Sequence, residues 1–251
     1  MSFLKNVILL SLPKSGRTWL LCLLATMINE KIPTMTSDGF LKSHGLQYTH
    51  EFGTTKTSSA QKLKKWLCHD KKHVILIERD PRDQIISSFY EHRYRNWMWR
   101  KRILRGNLTD NLSYLISETK DYNERITFAL ANLPCREHNL HVIRYETLIA
   151  CTECVVEWLI ENITGKIYHA NHAAAMCEFD RLIKMNGTGK WGKSIPYEPN
   201  SNKFRSGTVG NWREFVPHMN SLFKAKLYLK QQIERERKYG IFSKLIKSVE
   251  V

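Results

Sequence analysis

With 251 residues the chain can bury one sizeable core, and its 42% hydrophobic and 25% charged residues exclude a disordered or fibrous protein. Lys and Arg outnumber Asp and Glu by 39 to 24, and the net charge of +15 favours anionic partners: nucleotides, sulfated or phosphorylated substrates, nucleic acid or an acidic membrane surface. No apolar stretch approaches the roughly 20 residues of a membrane span, since the run from Val7 breaks at Pro13 and the run from Trp19 stops near Ile28.

In chain order, Asn6–Leu12 reads as a strand of near-continuous Val, Ile and Leu, followed by a helix over Thr18–Glu30. A shorter strand is expected at Phe40–Ser43. The stretch His73–Glu78 reads as a third strand, with helices over Pro81–Arg93 and Leu108–Leu133. Leu140–Arg144 reads as a fourth strand, with helices over Glu146–Asn162 and Asn171–Ile183. Gly, Pro, Ser and Asn then cluster from Asn186 to Gly210, which predicts a long loop of the functional kind. A last helix is expected over His218–Tyr239, ending at Gly240. Strands alternating with helices imply an α/β fold, one domain over residues 1–251 with a central parallel sheet flanked by helices.

Lys14-Ser-Gly-Arg17 interrupts the N-terminal apolar stretch, so a secretory leader is not expected and cytoplasmic residence is. Cys151 and Cys154 form a CxxC, but a zinc site needs two further ligands at matching spacing and no second CxxC exists. The two are expected to be small apolar residues on a helix.

Three segments carry chemistry. The first strand runs through Ser11-Leu-Pro-Lys-Ser-Gly-Arg-Thr-Trp19 into a helix, a turn that aims backbone amides and the helix dipole at one point. Lys14 adds a positive charge, Ser15 and Thr18 add hydroxyls, and Gly16 lets the backbone approach a ligand closely. The order differs from GxxxxGK[ST], because the lysine precedes the glycine. The third strand ends in Ile77-Glu-Arg-Asp-Pro-Arg-Asp83, at the edge where α/β sheets bind ligands. Arg79 at the strand exit and Ser87, about two turns into the next helix, suit a second phosphate. Asp80, Arg82 and Asp83 read as charges at that helix's N-terminus. The third segment is Phe204-Arg-Ser-Gly-Thr-Val-Gly-Asn-Trp212, two glycines with an arginine and aromatics in a loop.

Together these resemble the sulfotransferase family that uses 3′-phosphoadenosine 5′-phosphosulfate (PAPS). PKSGRTW is similar to the family's 5′-phosphosulfate loop PKSGTTW, Arg79 with Ser87 to its 3′-phosphate site, and FRSGTVGNW to its RKGxxGDW motif. Leu41-Lys-Ser-His44 resembles the KTH segment that supplies a catalytic histidine. Val142-Ile-Arg-Tyr-Glu146 is similar to the strand whose Tyr-Glu reaches the adenine, and Cys177-Glu-Phe179 falls where Ser/Thr-x-Phe meets the nucleotide. The matches follow the family's order from Asn6 to Trp212.

The resemblance implies sulfuryl transfer to a hydroxyl or amine, with PAPS as co-substrate and no metal. Residues 14–19 (Lys14, Ser15, Gly16, Arg17, Thr18, Trp19) would hold the phosphosulfate and adenine, with Trp19 stacking on the base. Lys14 would neutralise charge on the bridging oxygen, His44 would take the acceptor's proton and Lys42 would steady the sulfuryl oxygens. Arg79, Ser87, Arg205 and Gly207 would hold the 3′-phosphate, with Tyr145, Phe179, Phe204 and Ser206 completing the nucleotide site. Three positions depart from the family pattern: Arg17 for Thr, Ser206 for Lys, and Cys177 for a hydroxyl residue. The cytosolic members' dimer motif is absent, because Lys203 and Thr208 have the wrong spacing, so oligomeric state stays open.

Two rival readings are a P-loop nucleotide kinase, which lacks its GxxxxGK[ST] here, and a non-enzymatic polyanion binder, suggested by charge alone. Nucleic acid is not expected as a partner. The acceptor is unidentified. The segment Arg93–Arg105 mixes cationic residues with Tyr94, Trp97 and Trp99 and contains no carboxylate, which suggests an acceptor that is acidic or sits on an anionic surface.

Overall fold

A computed structural model describes residues 3–11, 14–29, 41, 45–49, 54–70, 72–94, 108–132, 139–187, 207–213 and 226–240. Among these residues four parallel strands form one sheet in the order β2-β1-β3-β4: β1 Val7–Ser11, β2 Gln47–Thr49, β3 His73–Glu78 and β4 Leu140–Arg144. Ser11 of β1 lies opposite Ile77 of β3, and Ile77 opposite Ile143 of β4, so these three strands leave the sheet at one level.

Alternation along the strands divides the core. Val7, Leu9, Ile75, Ile77 and Ile143 point to one face, where they meet α1 (Arg17–Asn29) and α6 (Thr152–Thr164). Ile8, Leu10, Val74, Leu76, Leu140 and Val142 point to the other, under α2 (Lys56–Lys64) and α4 (Leu108–Ala131). Helix α3 (Pro81–Tyr94) packs on α4 through Ile85, Ile86, Phe89, Leu112 and Leu115. The remaining described α-helices are α5 (Tyr145–Ala150), α7 (Asn171–Met176), α8 (Phe179–Gly187) and α9 (Lys226–Tyr239). Both faces of β1 and β3 are covered, which is why these strands read as unbroken apolar runs. Arg235 of α9 pairs with Glu78 at the end of β3, Nη2 to Oε1 at 2.6 Å, and tethers that helix beside the strand exits.

The sheet and its crossover helices match the sequence reading, with four local corrections. The expected strand at Phe40–Ser43 lies outside the described residues except for Leu41, which is helical; the edge strand is β2, three residues too short to show a pattern. Helix α2 has little apolar periodicity and is held at its start by a capping box, in which Thr55 Oγ1 accepts the Ser58 amide and Ser58 Oγ accepts the Thr55 amide. The expected helix Asn171–Ile183 is two helices, because the Cys177 carbonyl accepts the Trp19 Nε1–H at 2.8 Å. The helix expected over Glu146–Asn162 breaks at Cys151, and Cys151 and Cys154 are not simple apolar residues: they form a disulfide, their Cα atoms 5.4 Å apart across the first turn of α6. Cys68 is disulfide-bonded as well.

His141 stands inside β4, with its Nε2 3.0 Å from His73 Nδ1 and its ring edge-on to Trp158. Burial, and then the neighbouring His73, push its pKa down to about 3. The unfolded chain takes up a proton near pH 6.5 that the folded chain refuses, so this contribution to stability is complete above that pH and declines as pH falls toward 3. In urea unfolding between pH 7 and pH 5, His141→Gln is expected to show a shallower loss of stability than the parent protein. Parallel pH profiles would contradict this assignment.

Candidate active site

The turn after β1 is conformationally unusual. Lys14 has φ 69°, a left-handed value rare outside glycine, and Gly16 has φ 92°. Such a residue costs of order 1–3 kcal/mol and persists only where its surroundings enforce it. A side chain at Gly16 would run into Tyr145 Cδ2, so the Tyr145 ring closes over the turn. The Gly16 carbonyl accepts the Leu20 amide at 3.1 Å and starts α1, whose first-turn amides face back into the turn. Ser15 between them is buried, and its Oγ has no hydrogen-bond partner among the described residues. A buried hydroxyl without a partner beside first-turn amides fits an anionic ligand.

The exit of β3 supplies the second part. Arg79 Nη1 donates to the Lys14 carbonyl at 3.3 Å and Nη2 to the Thr208 carbonyl at 3.2 Å, while the guanidinium lies 4.4 Å from the Tyr145 ring centre. Its buried Nε has no hydrogen-bond partner among the described residues. Arg79 therefore ties the first turn to the loop 207–213. Ser87 is half-buried on α3. Asp83, Ser87 and Glu91 recur every four residues and share one helix face. Lys14 Nζ pairs with Glu91 Oε2 at 2.5 Å.

Asp83 lies in the first turn of α3, as the sequence reading has it, and its contacts add a second role. Its carboxylate is 1% exposed and accepts the amides of Gly210 at 2.6 Å and Trp212 at 3.1 Å. Asp80 does behave as a helix-start residue, accepting the Arg82 amide at 2.9 Å and pairing with its guanidinium, which also covers the Trp212 ring at 3.8 Å.

The exit of β4 supplies an aromatic wall. Tyr145 is buried, which raises its pKa to about 12. Trp19 is edge-on to Phe179, ring centres 4.7 Å apart, and to Tyr145 at 6.1 Å. At 5% exposure Trp19 supports these rings and offers little open stacking surface of its own. Gly207, at φ 62°, lies so close to Phe179 that a Cβ would come within 2.6 Å of the ring. Arg17 turns away to the edge strand, 4.9 Å from the Tyr48 ring centre. Cys177 faces the core, its Sγ 3.4 Å from Thr26 Oγ1, and burial pushes its thiol up to about 11. Thr18 lies half-buried in the first turn of α1.

The structure thus brings together Lys14, Ser15, Gly16, Arg79, Tyr145, Phe179 and Gly207, with Ser87 on the adjoining helix face. Lys42, His44, Phe204, Arg205 and Ser206, and the segment 95–107, lie outside the described residues. Gly45, the residue after His44, packs against Lys5 ahead of β1; a Cβ there would lie 2.8 Å from Lys5 Cα. Lys5 lies in the 3-10 turn ahead of β1, and at a strand rise of roughly 3.3 Å per residue the strand from Val7 to Ser11 adds about 13 Å between that turn and the ligand edge. The chain then runs forward through β2, and Thr49 reaches the level of Leu10. Glu91 carries no mark in the sequence beyond its four-residue spacing from Ser87, and the sequence shows Asp83 only as a helix-start charge.

Gly16→Ala combines a disfavoured φ with a ring contact that Tyr145, packed by Trp19 and Arg79, cannot relieve. It is expected to cost more than about 1 kcal/mol in urea unfolding and to lower affinity for an anionic ligand at the turn. A variant with unchanged stability and affinity would show that the turn is not held as described.

No curated protein sequence matches the chain. Among solved structures, retinol dehydratase with androsterone and the inactive cofactor PAP superposes with a TM-score of 0.59 at 15% identity, over 91% of this chain and 80% of that one. The same protein with retinol and PAP gives 0.57 at 15% identity, over 92% and 81%. The family model described as a sulfotransferase domain matches residues 4–234, and the chain belongs to the sulfotransferase family.

Proposed function

We propose that this sulfotransferase binds PAPS across the exits of β1, β3 and β4 and moves its sulfuryl group to an acceptor hydroxyl or amine, releasing adenosine 3′,5′-bisphosphate (PAP). The observation that carries this reading is the turn 14–16, where Ser15 is buried with no hydroxyl partner among the described residues, Tyr145 closes over Gly16 and Arg79 donates to the Lys14 carbonyl. The first-turn amides of α1 and the Ser15 hydroxyl suit the 5′-phosphosulfate, and Arg79 with Ser87 the 3′-phosphate. Phe179, Tyr145 and Gly207 would border the adenosine. PAP in both structural neighbours agrees with this choice of nucleotide.

In the reaction, the acceptor's oxygen or nitrogen forms a bond to sulfur while sulfur's bond to the bridging phosphate oxygen breaks, the electron pair staying on that oxygen. Lys14 is placed to neutralise that charge. The acceptor's proton passes to a base. Because Gly45 sits ahead of β1 and β2 runs from Gln47 toward the ligand edge, we assign the base to His50, which follows Thr49 directly in the chain, with His44 of the KTH-like segment as the alternative. Tyr48-Thr49-His50 carries the Thr-His pair of the KTH pattern, which Ser43-His44 carries only loosely.

The acceptor is proposed to be acidic or surface-bound, from the cationic and aromatic composition of Arg93–Arg105. Among the described residues no helix is long and apolar enough to cross a membrane. Cytoplasmic residence, expected from the N-terminal segment, stands against the disulfide-bonded Cys68, Cys151 and Cys154, which favour an oxidising compartment.

PAP at about 100 times its Kd is expected to stabilise the protein by roughly 2.7 kcal/mol in thermal unfolding, and ATP, which has no 3′-phosphate, by much less. Equal effects of the two nucleotides would contradict the PAPS assignment. His50→Ala is expected to abolish turnover with PAP affinity unchanged, while His44→Ala stays active. The reverse result would return the base to His44.

A further inference from the structure

The CxxC that sulfuryl transfer leaves unused lies at a hinge. Cys151 is the break between α5 and α6, at φ −147° and ψ 80°. Its amide closes α5 by donating to the Thr147 carbonyl at 3.0 Å, and its carbonyl opens α6 by accepting the Val155 amide at 3.1 Å. Its disulfide partner Cys154 sits in the first turn of α6, which is docked on the core through Val155, Val156, Trp158, Leu159 and Ile160. Helix α5 begins with Tyr145, whose ring closes over Gly16 and lies against Arg79. A helical rise over six residues puts the Tyr145 backbone about 9 Å from the hinge.

Helix geometry alone already brings positions 151 and 154 close together, so a bridge between them restricts the unfolded chain little. Its reactivity says more. Cys154 is exposed and Cys151 half-buried, so solvent reaches the bridge. Cys151 is the N-cap residue of a 13-residue helix, and in the disulfide its side chain makes no capping hydrogen bond. A thiolate there gains the first-turn amides and the positive end of the helix dipole, which makes Cys151 the better leaving group. Glu153, exposed and next to Cys154 in the chain, disfavours a thiolate on the outer sulfur. Among the described residues the free thiols, Cys22 and Cys177, are both buried, so neither can open the bridge.

We propose that Cys151–Cys154 is a thiol–disulfide exchange site, opened by a dithiol of a second molecule, and that its closed form braces the hinge that carries Tyr145. The effect on the nucleotide rests on the functional reading above. A thiolate of the dithiol attacks Cys154 Sγ, the bond between the two cysteine sulfurs breaks, and its electron pair stays on Cys151 Sγ. The second thiolate of the reductant then attacks its own partner sulfur in the mixed disulfide and releases Cys154. The cysteines take up the two protons that the dithiol gave up. Cys151 and Cys154 are thereby reduced by two electrons, and the dithiol leaves as a disulfide. Once open, the hinge keeps the hydrogen bonds from Cys151 to Thr147 and from Thr152 Oγ1 to Leu148, but it loses the covalent link to α6. Tyr145 gains freedom over the turn 14–16, and a nucleotide must order it on binding.

The test treats the full chain with dithiothreitol, traps it at intervals with N-ethylmaleimide and weighs its peptides. The Cys151–Cys154 bridge is expected to open at least about tenfold faster than the bridge of half-buried Cys68, with the far-ultraviolet circular dichroism still that of the folded protein. Calorimetric titration of the opened protein is expected to give a Kd for PAP about threefold higher than that of the closed protein, restored on reoxidation with oxidised glutathione. Cys154→Ser, which cannot form the bridge, is expected to show the weaker affinity with and without dithiothreitol. Should serine disturb the first turn of α6, the reduced and reoxidised parent carries the test without it. Opening only together with unfolding, or no faster than at Cys68, would overturn the proposal. PAP affinity equal in the closed and opened parent would overturn it as well. Failure of the closed parent to bind PAP would instead overturn the functional reading, and the trapping rates would still decide the exchange site.

Discussion

Parallel pairing of β1, β3 and β4 sets Ser11 opposite Ile77 and Ile77 opposite Ile143, and the rest of the site depends on that register. Each strand leaves the sheet at the same height, so the residues that follow converge without long excursions: the turn 14–16, Arg79 and Tyr145. A slip of one residue between any two strands would also turn their apolar side chains to the wrong face. Burial on both faces therefore enforces the alignment that the site requires. Packing sets the position, and the loops supply the chemistry.

The convergent groups hold one another before any ligand is considered. Arg79 bridges the Lys14 carbonyl to the Thr208 carbonyl and rests on Tyr145. Asp83 fixes the same loop through Gly210 and Trp212. Phe179 lies between Gly207 and Trp19, which joins the loop to α1. Three segments far apart in sequence are thus linked by hydrogen bonds and ring contacts whose members are mostly buried. Sulfuryl transfer asks mainly for positioned donors and charge, and preorganisation of this kind avoids reorganising them during the reaction.

Much of this was legible in the chain because it rests on patterns that report burial. The apolar runs of β1 and β3 announce strands covered on both sides, and the Lys-Ser-Gly turn between strand and helix announces an anion site. Less legible were features that depend on who the neighbour is. Three-residue β2 has no periodicity to read, so pattern alone does not rank His44 against His50 on its other side. Helix α2 has a capping box where an apolar stripe would be expected. Asp83 and Glu91 look like ordinary helix charges until the loop amides and Lys14 are placed against them. The CxxC gives no sign in sequence alone that its two sulfurs meet across a helix turn.

The central claim is that the turn between β1 and α1 holds the donor's 5′ end while Arg79 and Ser87 hold its 3′ end. A crystal structure of the complex with PAP tests it most directly. The account predicts the 5′-phosphate within hydrogen-bonding distance of the first-turn amides of α1 and the Ser15 hydroxyl, with the 3′-phosphate beside Arg79 and Ser87. PAP bound away from this turn, or with its 3′-phosphate in the turn and its 5′-phosphate beside Arg79, would contradict it.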